Sequence, residues 1–429
     1  MGKTPERGNK RYWSEATIPW VSISDMLPSQ YINNTKEKIT EIALKEVFKE
    51  RLSPKGTLLM SFKLTVGRTS ILDFDAVHNE AIISIYPYKS LQQDFQEYLL
   101  YFLPIFSSLA QSHDAIKGKT LNSKSIDNIL IPLPPENEQK RIVNKFKIIS
   151  IASNNIYENQ EELNKLKDGL KNKVLDLAIQ GKLVEQDPND EPASVLLEKI
   201  KAEKAELVKQ GKIKKDKQES RIFKGDDNRH YEKIGSEVRD ITDEIPFEIP
   251  NSWSWVRFAN VSLYSTDYVA NGSFASLREN VKMYKEKNFA LLVKTQDFSN
   301  NFSRDLTYID ERSYNFLEKS KLYGGELMMS NIGASIGKVF IIPNLNMPMS
   351  IAPNSIIIKF SDTHITQYVN YLISSPFGQD ILKVFTAGTA MPKFSKTQLR
   401  GCLIPIPPYK EQIRIVNKMK KLFDMIENL

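Results

Sequence analysis

Two stretches of this sequence carry side chains suited to gripping a polyanion, and each occurs twice. Lys117, Lys119, Asn122 and Lys124 precede an apolar segment in the first half, and Lys393, Ser395 and Lys396 precede a similar one in the second. Ser61, Lys63 and Arg68 are answered in the same way by Ser330, Asn331 and Lys338. Thr4, Arg7 and Asn9 form a third set near the start of the chain. Lys and Arg suit phosphate oxygens, whereas Asn, Ser and the longer cations also suit the edges of bases. Any one of these sets is equally compatible with a solvated surface. Their recurrence singles them out.

Catalytic motifs fail one by one. Residues 406–409 read Ile-Pro-Pro-Tyr, close to the loop with which amino-methyltransferases hold a target amino group. That loop needs an Asn or Asp oxygen as acceptor, and Ile406 has none. The run Gly333-Ala-Ser-Ile-Gly-Lys338 is one residue short of a phosphate-binding loop, and Val339 stands where a Ser or Thr would take magnesium. His78, His113, His230 and His364 show no ligand spacing. The single cysteine, Cys402, excludes an internal disulfide and a thiolate cluster. It aligns with Ile129 of the other half and is expected to be a small core residue. A binding protein without metal or catalysis of its own is therefore expected.

Composition agrees. A formal charge of +7 and a pI near 9.0 favour a polyanionic partner. The 41% hydrophobic content can fill real cores, and 429 residues are too many for a single one. No stretch reads as a signal peptide, and the apolar run 339–358 is broken by Pro343, Pro348 and Pro353. No membrane span and a cytoplasmic location follow as expectations.

An internal repeat positions the recurring sets. Residues 131–146, IPLPPENEQKRIVNKF, return 273 residues later as IPIPPYKEQIRIVNKM, with 11 of 16 positions identical. Upstream, residues 98–100 match 371–373, Gly56 matches Gly325, residues 58–61 match 327–330, and Val21 and Asp25 match Val293 and Asp297. Apolar and glycine positions are shared while polar ones differ, as in two copies of one fold with different ligands. Within each copy, residues 81–86 and 355–360 are expected as strands, and 95–108 and 366–386 as helices. Each copy closes in a strand and proline turn that hands over to a helix at the Glu-Gln pair.

After the first turn, Ile142, Ile149, Ile156, Leu163, Leu170 and Leu177 recur every seven residues. This predicts a long helix in a coiled coil or helical pair, about 58 Å over residues 142–180 and stopped at Gly181. After the second turn the frame restarts at Ile415, Met419, Leu422, Ile426 and Leu429. Residues 199–217 hold eight Lys against three acids, expected as a solvated helix with a disordered end, or as a contact to a DNA backbone.

The doubled proline turn with Glu-Gln-x-x-Ile-Val resembles the specificity subunits of type I restriction-modification systems. So do the run from Gly181 (GKLVEQDPNDEPA) and the run from Ile245 (IPFEIPNSWSWV). The opening residues Thr4, Pro5, Tyr12, Trp13 and IPWV at 18–21 look like the early part of a target-recognition domain. The resemblance implies an α/β (α+β) fold with two target-recognition domains held by long coiled-coil helices. Its parts fall at 1–140 (first domain), 141–181 (spacer helix), 182–244 (charged connector), 245–408 (second domain) and 409–429 (second helix). It also implies double-stranded DNA as ligand, read as a bipartite asymmetric site, two methylation subunits docked on the helices, and motor-nuclease subunits. S-adenosylmethionine, ATP and Mg are expected on those partners, with no cofactor on this chain. Compared with the family pattern the chain reads as shortened at both ends. A silent cassette or scaffold that docks no enzyme is the alternative expectation, and a fused methyltransferase a remoter one.

Overall fold

The computed structural model describes residues 2–63, 65–88, 92–111, 126–216, 219–333, 335–386 and 392–429. The chain forms two compact units, residues 1–160 and 161–429. The first is built around a mixed sheet and the second around an antiparallel one, each with helices against it, as the α+β expectation had it.

The shared apolar tetrapeptide lies at the centre of each sheet. Leu58–Ser61 pairs antiparallel with Thr69–Leu72 on one side and Ile82–Ile85 on the other, and Gln30–Ile32 lies parallel to Thr69–Leu72. Leu327–Ser330 is likewise flanked by Val339–Ile341 and Ser355–Lys359, with Tyr264–Asp267 outside the latter. Both central strands are buried along their whole length, which is why they read as unbroken apolar runs rather than alternating ones. A second sheet repeats too: Ile18–Val21 lies parallel to Val77–His78, as Ala290–Val293 does to Met349–Ile351. The Asp25 and Asp297 carboxylates each accept a backbone N–H three residues back, from Ser22 and Lys294, at 2.8 Å in both.

Hydrogen bonds correct the helix alignment by one turn. Tyr98 and Tyr368 each donate to the carbonyl of the second residue of the closing segment, Pro132 and Pro405, at 3.0 Å. Tyr98 therefore answers to Tyr368, not Tyr371. A three-residue slip nearly preserves a helical face, so the apolar pattern alone could not detect it. The expected helix 366–386 is two, Thr363–Ser374 and Pro376–Lys383. Ser375 caps the second through Gly378 N–H at 3.0 Å, and Pro376 occupies its first position. In the other copy Gln92–Gln111 runs through Pro104 without a break.

The predicted spacer is one helix, Glu136–Ile179. Its start packs in the first unit, where Phe146 meets the rings of Tyr101 and Phe102 at 4.8 and 5.4 Å. Its end packs in the second unit, where Leu175, Ala178 and Ile179 are buried. It stops where expected, with Lys182 N–H bonded to the Leu177 carbonyl at 2.8 Å. Between these ends Ile149, Ile156, Leu163 and Leu170 are exposed. Tyr409–Glu427 lies along the C-terminal part, where Lys167 Nζ donates to the Glu427 carbonyl at 3.1 Å and Lys171 pairs with the Glu427 carboxylate.

The connector departs from expectation. After the helix Ala193–Lys209, and beyond the stretch 199–217, comes a three-stranded meander that the sequence reading did not foresee, Ser220–Lys224, His230–Ile234 and Glu237–Asp240. Its lysines are partly consumed in place: Lys204 reaches Asp216 at 2.8 Å, and Asp216 also pairs with Arg400. Glu232, buried, takes Arg239 and Arg257, and these cations hold its carboxyl at about 2 against the opposing effect of burial.

Residues 181–192, the strand Ser254–Arg257 and the last helix meet at Glu411. Its buried carboxylate accepts Trp253 Nε1–H at 2.9 Å and a hydrogen bond from Gln186. Burial raises its pKa above the ordinary 4.5, with the two donors opposing. The protonated form is thus the one folding favours. Its contribution is complete below the unfolded value and is lost as pH rises through the raised folded value. The stability of the wild type relative to Glu411→Gln should therefore fall as pH rises above the unfolded value of about 4.5, measured by denaturant midpoints. Parallel pH profiles for the two proteins would remove this role.

Candidate nucleic-acid interface

In the second unit the two recurring sets meet. The loop 331–338 leaves the central strand, and the segment 392–395 lies against it. Asn331 Nδ2 donates to the Phe394 carbonyl at 3.0 Å, Phe394 N–H returns to the Asn331 carbonyl at 3.1 Å, and Gly333 N–H reaches Pro392 at 3.2 Å. A bridge joins Ile332 to Lys393. Phe394 is buried beneath, so the crossing is anchored in the core while Lys338 and Lys393 stay exposed. Asn331 Oδ1 is buried with no partner among the described residues.

A helix staples the loop. Gln379 Nε2 donates to the Gly337 carbonyl at 3.0 Å and to Ile373 at 2.8 Å. Gly337 has φ +79°, and a Cβ there would lie 2.9 Å from Gln379 Oε1, so only glycine fits. In the first unit the close approach recurs without the staple: Gly67 has φ +85° and a Cβ would meet Ser107 Oγ at 2.0 Å, but that hydroxyl bonds the Pro104 carbonyl of its own helix at 3.0 Å.

The remaining residues of the sequence-derived set divide by what they already bind. Ser61 and Ser330 are buried, and their hydroxyls turn inward to Thr65 and, at 3.0 Å, to Ser335, so these serines shape the loop rather than face a ligand. Ser395 caps the helix Lys396–Gly401 in a box with Gln398. Lys396 pairs with Asp267 at 3.0 Å. Arg68 donates to the Met26 carbonyl at 3.2 Å. Thr4 bonds Glu80, and Asn9 caps Arg11 N–H at 3.1 Å. Arg7 forks onto Glu37 and lies over Trp13 and Trp20 at 4.4 and 4.8 Å. Lys63 is exposed, 5.5 Å from the centre of the Phe62 ring and near enough to Glu80 for its charge to favour that carboxylate. Lys117, Lys119, Asn122 and Lys124 lie outside the described residues.

Asp267 and Gln379 were not foreseen from sequence. Each acts on a partner more than forty residues away, and neither sits in a shared motif, so nothing local marks them. Among the described residues no cluster of His, Cys, Asp or Glu suits a metal ion, and no helix is long and apolar enough to cross a membrane. Cys402 is buried as expected, and burial pushes its thiol up to about 12.

The two similar units and their spacer helix are the organisation of a known family. Residues 1–167 and 276–429 match the one described as Type I restriction modification DNA specificity domain, and the chain belongs to it. The EcoAI specificity subunit of Escherichia coli is 30% identical over 266 residues, 61% of this chain and 41% of that protein. The EcoEI specificity subunit of the same organism is 29% identical over 269 residues, 61% of this chain and 40% of that protein. The matched part thus spans about two fifths of these relatives' length. A chain from a structure on complex assembly and conformational transition of the type I R-M system shares the fold. Its TM-score is 0.58 at 16% identity, covering 96% of this chain and 85% of that one.

Arg7 separates a packing role from a recognition role. Removing an exposed bidentate pair and two ring contacts should cost about 1–2 kcal/mol of stability. Arg7→Ala is expected to lower the denaturant midpoint of the free chain. An unchanged midpoint would return Arg7 to the recognition set.

Proposed function

We propose that this chain is a DNA-specificity subunit without catalysis of its own. It reads a bipartite, asymmetric double-stranded site with one half-site per target-recognition domain, at residues 1–140 and 245–408. The observation that carries the reading is the same loop built twice at the end of the same buried strand, closed by Gly67 N–H on the Ser61 carbonyl and Gly337 N–H on the Ser330 carbonyl, with different side chains displayed. Lys338 and Lys393 meet phosphate in the second domain, and Asn331 Oδ1 is an acceptor suited to a base amino group or a water bridging to one. Lys63 plays the phosphate role in the first domain. Ser61, Ser330 and Ser395 are support. The exposed stripe Ile149, Ile156, Leu163 and Leu170 fits the docking of methylation subunits. Those partners and the motor-nuclease subunits supply S-adenosylmethionine, ATP and Mg in the cytoplasm.

Lys338→Ala with Lys393→Ala should weaken binding to every DNA sequence alike and reduce the salt slope by about 1.8, at about 0.9 per lost phosphate contact. An unchanged slope in the assembled complex would exclude this loop pair. Co-expression with a methylation subunit, followed by genome-wide mapping of methylated adenines, should give one two-part motif with a fixed gap. A stable complex that methylates nothing would overturn the reading, and a chain that binds no methylation subunit would favour the silent cassette.

A further inference from the structure

The lysine run at 199–217 and the small sheet that follows it take no part in the reading loops. Four of its eight lysines are spent on acids at 2.7 to 3.9 Å: Lys199 on Glu191, Lys201 on Glu219, Lys204 on Asp216 and Lys209 on Glu206. Lys212, Lys214 and Lys215 are exposed and make no ion pair among the described residues, and Lys217 lies outside those residues. The free cations continue into the sheet.

Register divides the meander into two faces, because directly paired residues project to the same side. One face carries Ile222, Glu232 and Arg239, and Glu232 ties it to Arg257 of the strand Ser254–Arg257. The other face carries two rows. Arg221, Lys233 and Val238 stand opposite one another in the first row, and Phe223, Tyr231 and Asp240 in the second. Tyr231 is partly exposed and the other five are exposed. The Phe223 and Tyr231 rings lie 5.9 Å apart and 29° from parallel.

The first row carries a cost. Like charges directly opposite on neighbouring strands destabilise a ladder. Neither Arg221 nor Lys233 makes a hydrogen bond or ion pair among the described residues, and Glu219, two residues before Arg221, is already taken by Lys201 at 2.9 Å. The acids beside the second row are engaged: Asp240 by Arg229 at 2.6 Å, and Asp227 by the Tyr231 hydroxyl, which donates to it at 2.7 Å. Residues two apart along a strand are about 6.6 Å apart, at about 3.3 Å per residue, so the cations flank the rings.

We infer that this face of residues 220–240 is a platform for single-stranded nucleic acid. Unpaired bases stack on Phe223 and Tyr231 while their phosphates run along Arg221 and Lys233. Aromatic rings beside unpaired cations on an open sheet suit unpaired bases, whereas a duplex hides its base faces and would use the cations alone. The bound phosphates also relieve the repulsion between the two cations. This inference does not depend on duplex reading by the loops 331–338 and 392–395.

The test titrates fluorescein-labelled oligothymidylate and oligouridylate of about 15 nucleotides into the intact chain and follows anisotropy. Saturable binding of at least one is expected, and comparing the two assigns the strand as DNA or RNA. Phe223→Leu with Tyr231→Leu, which removes the rings but keeps apolar bulk, should weaken binding about tenfold or more and leave the salt slope unchanged. Arg221→Ala with Lys233→Ala should instead reduce the slope by about 1.4, at about 0.7 per lost contact on a single strand. Lys233→Glu should weaken binding without lowering the denaturant midpoint of the free chain, since it replaces a repulsion with an attraction. Binding of neither strand, or affinity indifferent to these substitutions, would overturn the inference. So would a duplex of the same length held as tightly and untouched by loss of the rings. Lys338→Ala with Lys393→Ala should leave single-strand affinity unchanged, and its loss there would assign the binding to the reading loops and overturn the platform. The duplex-reading proposal is tested separately, by methylation.

Discussion

Everything in this chain turns on a carbonyl that a proline pair leaves behind. A proline cannot donate to a ladder, so Pro134-Pro135 and Pro407-Pro408 end their segments and leave a main-chain oxygen without a ladder partner, part-buried in the first half and buried in the second. Gln139 and Gln412, four residues past the second proline and themselves buried, swing back to satisfy it. That bond fixes the direction in which each following helix leaves. One of those helices is the spacer, Glu136–Ile179, and the other is Tyr409–Glu427. The arrangement has a cost in the second half, where Gln412 Oε1 stays buried without a partner among the described residues. Retaining such a group in a core requires the bond made by the other end of the same amide to be worth more.

This explains why the repeat was legible. Prolines, the Gln and the apolar strand positions act locally, through fixed φ, one returning side chain and period, so they leave the same letters in both halves. The seven-residue spacing gave the spacer helix because one stripe of a helix is a local property. The one-turn slip between Tyr371 and Tyr368 was invisible for the same reason: a helical face looks nearly alike three residues on. The meander at 220–240 was hidden by its own chemistry. Its charges mask the alternation of its strands, and only folding pairs Glu232 with Arg239 and Arg257.

The site was less legible than the fold, because type and spacing reveal that a side chain is polar but not what it already touches. Arg7 looked like a phosphate contact and is held between Glu37 and two tryptophans. Lys396 looked free and is paired with Asp267, a residue 129 positions away in sequence. Lys338 and Lys393 carry no such engagement among the described residues. A cation still bearing its full hydration and its full charge is the one that a polyanion can recruit without first breaking an internal pair.

Identity between the halves therefore points away from recognition. Ser61 and Ser330 occupy the same place in each loop and were candidates for that reason, yet both are buried and spend their hydroxyls on the turn. Gly67 and Gly337 are shared because each lies against a helix with no room for a Cβ. The positions that differ, Arg68 against Lys338 and Lys63 against Ile332, stand on this common frame. Two copies of one scaffold that face unlike targets must keep what builds the loop and vary what the loop displays. Within a repeat protein of this kind, the residues that recur are evidence of how the site is held, and those that fail to recur show where it reads.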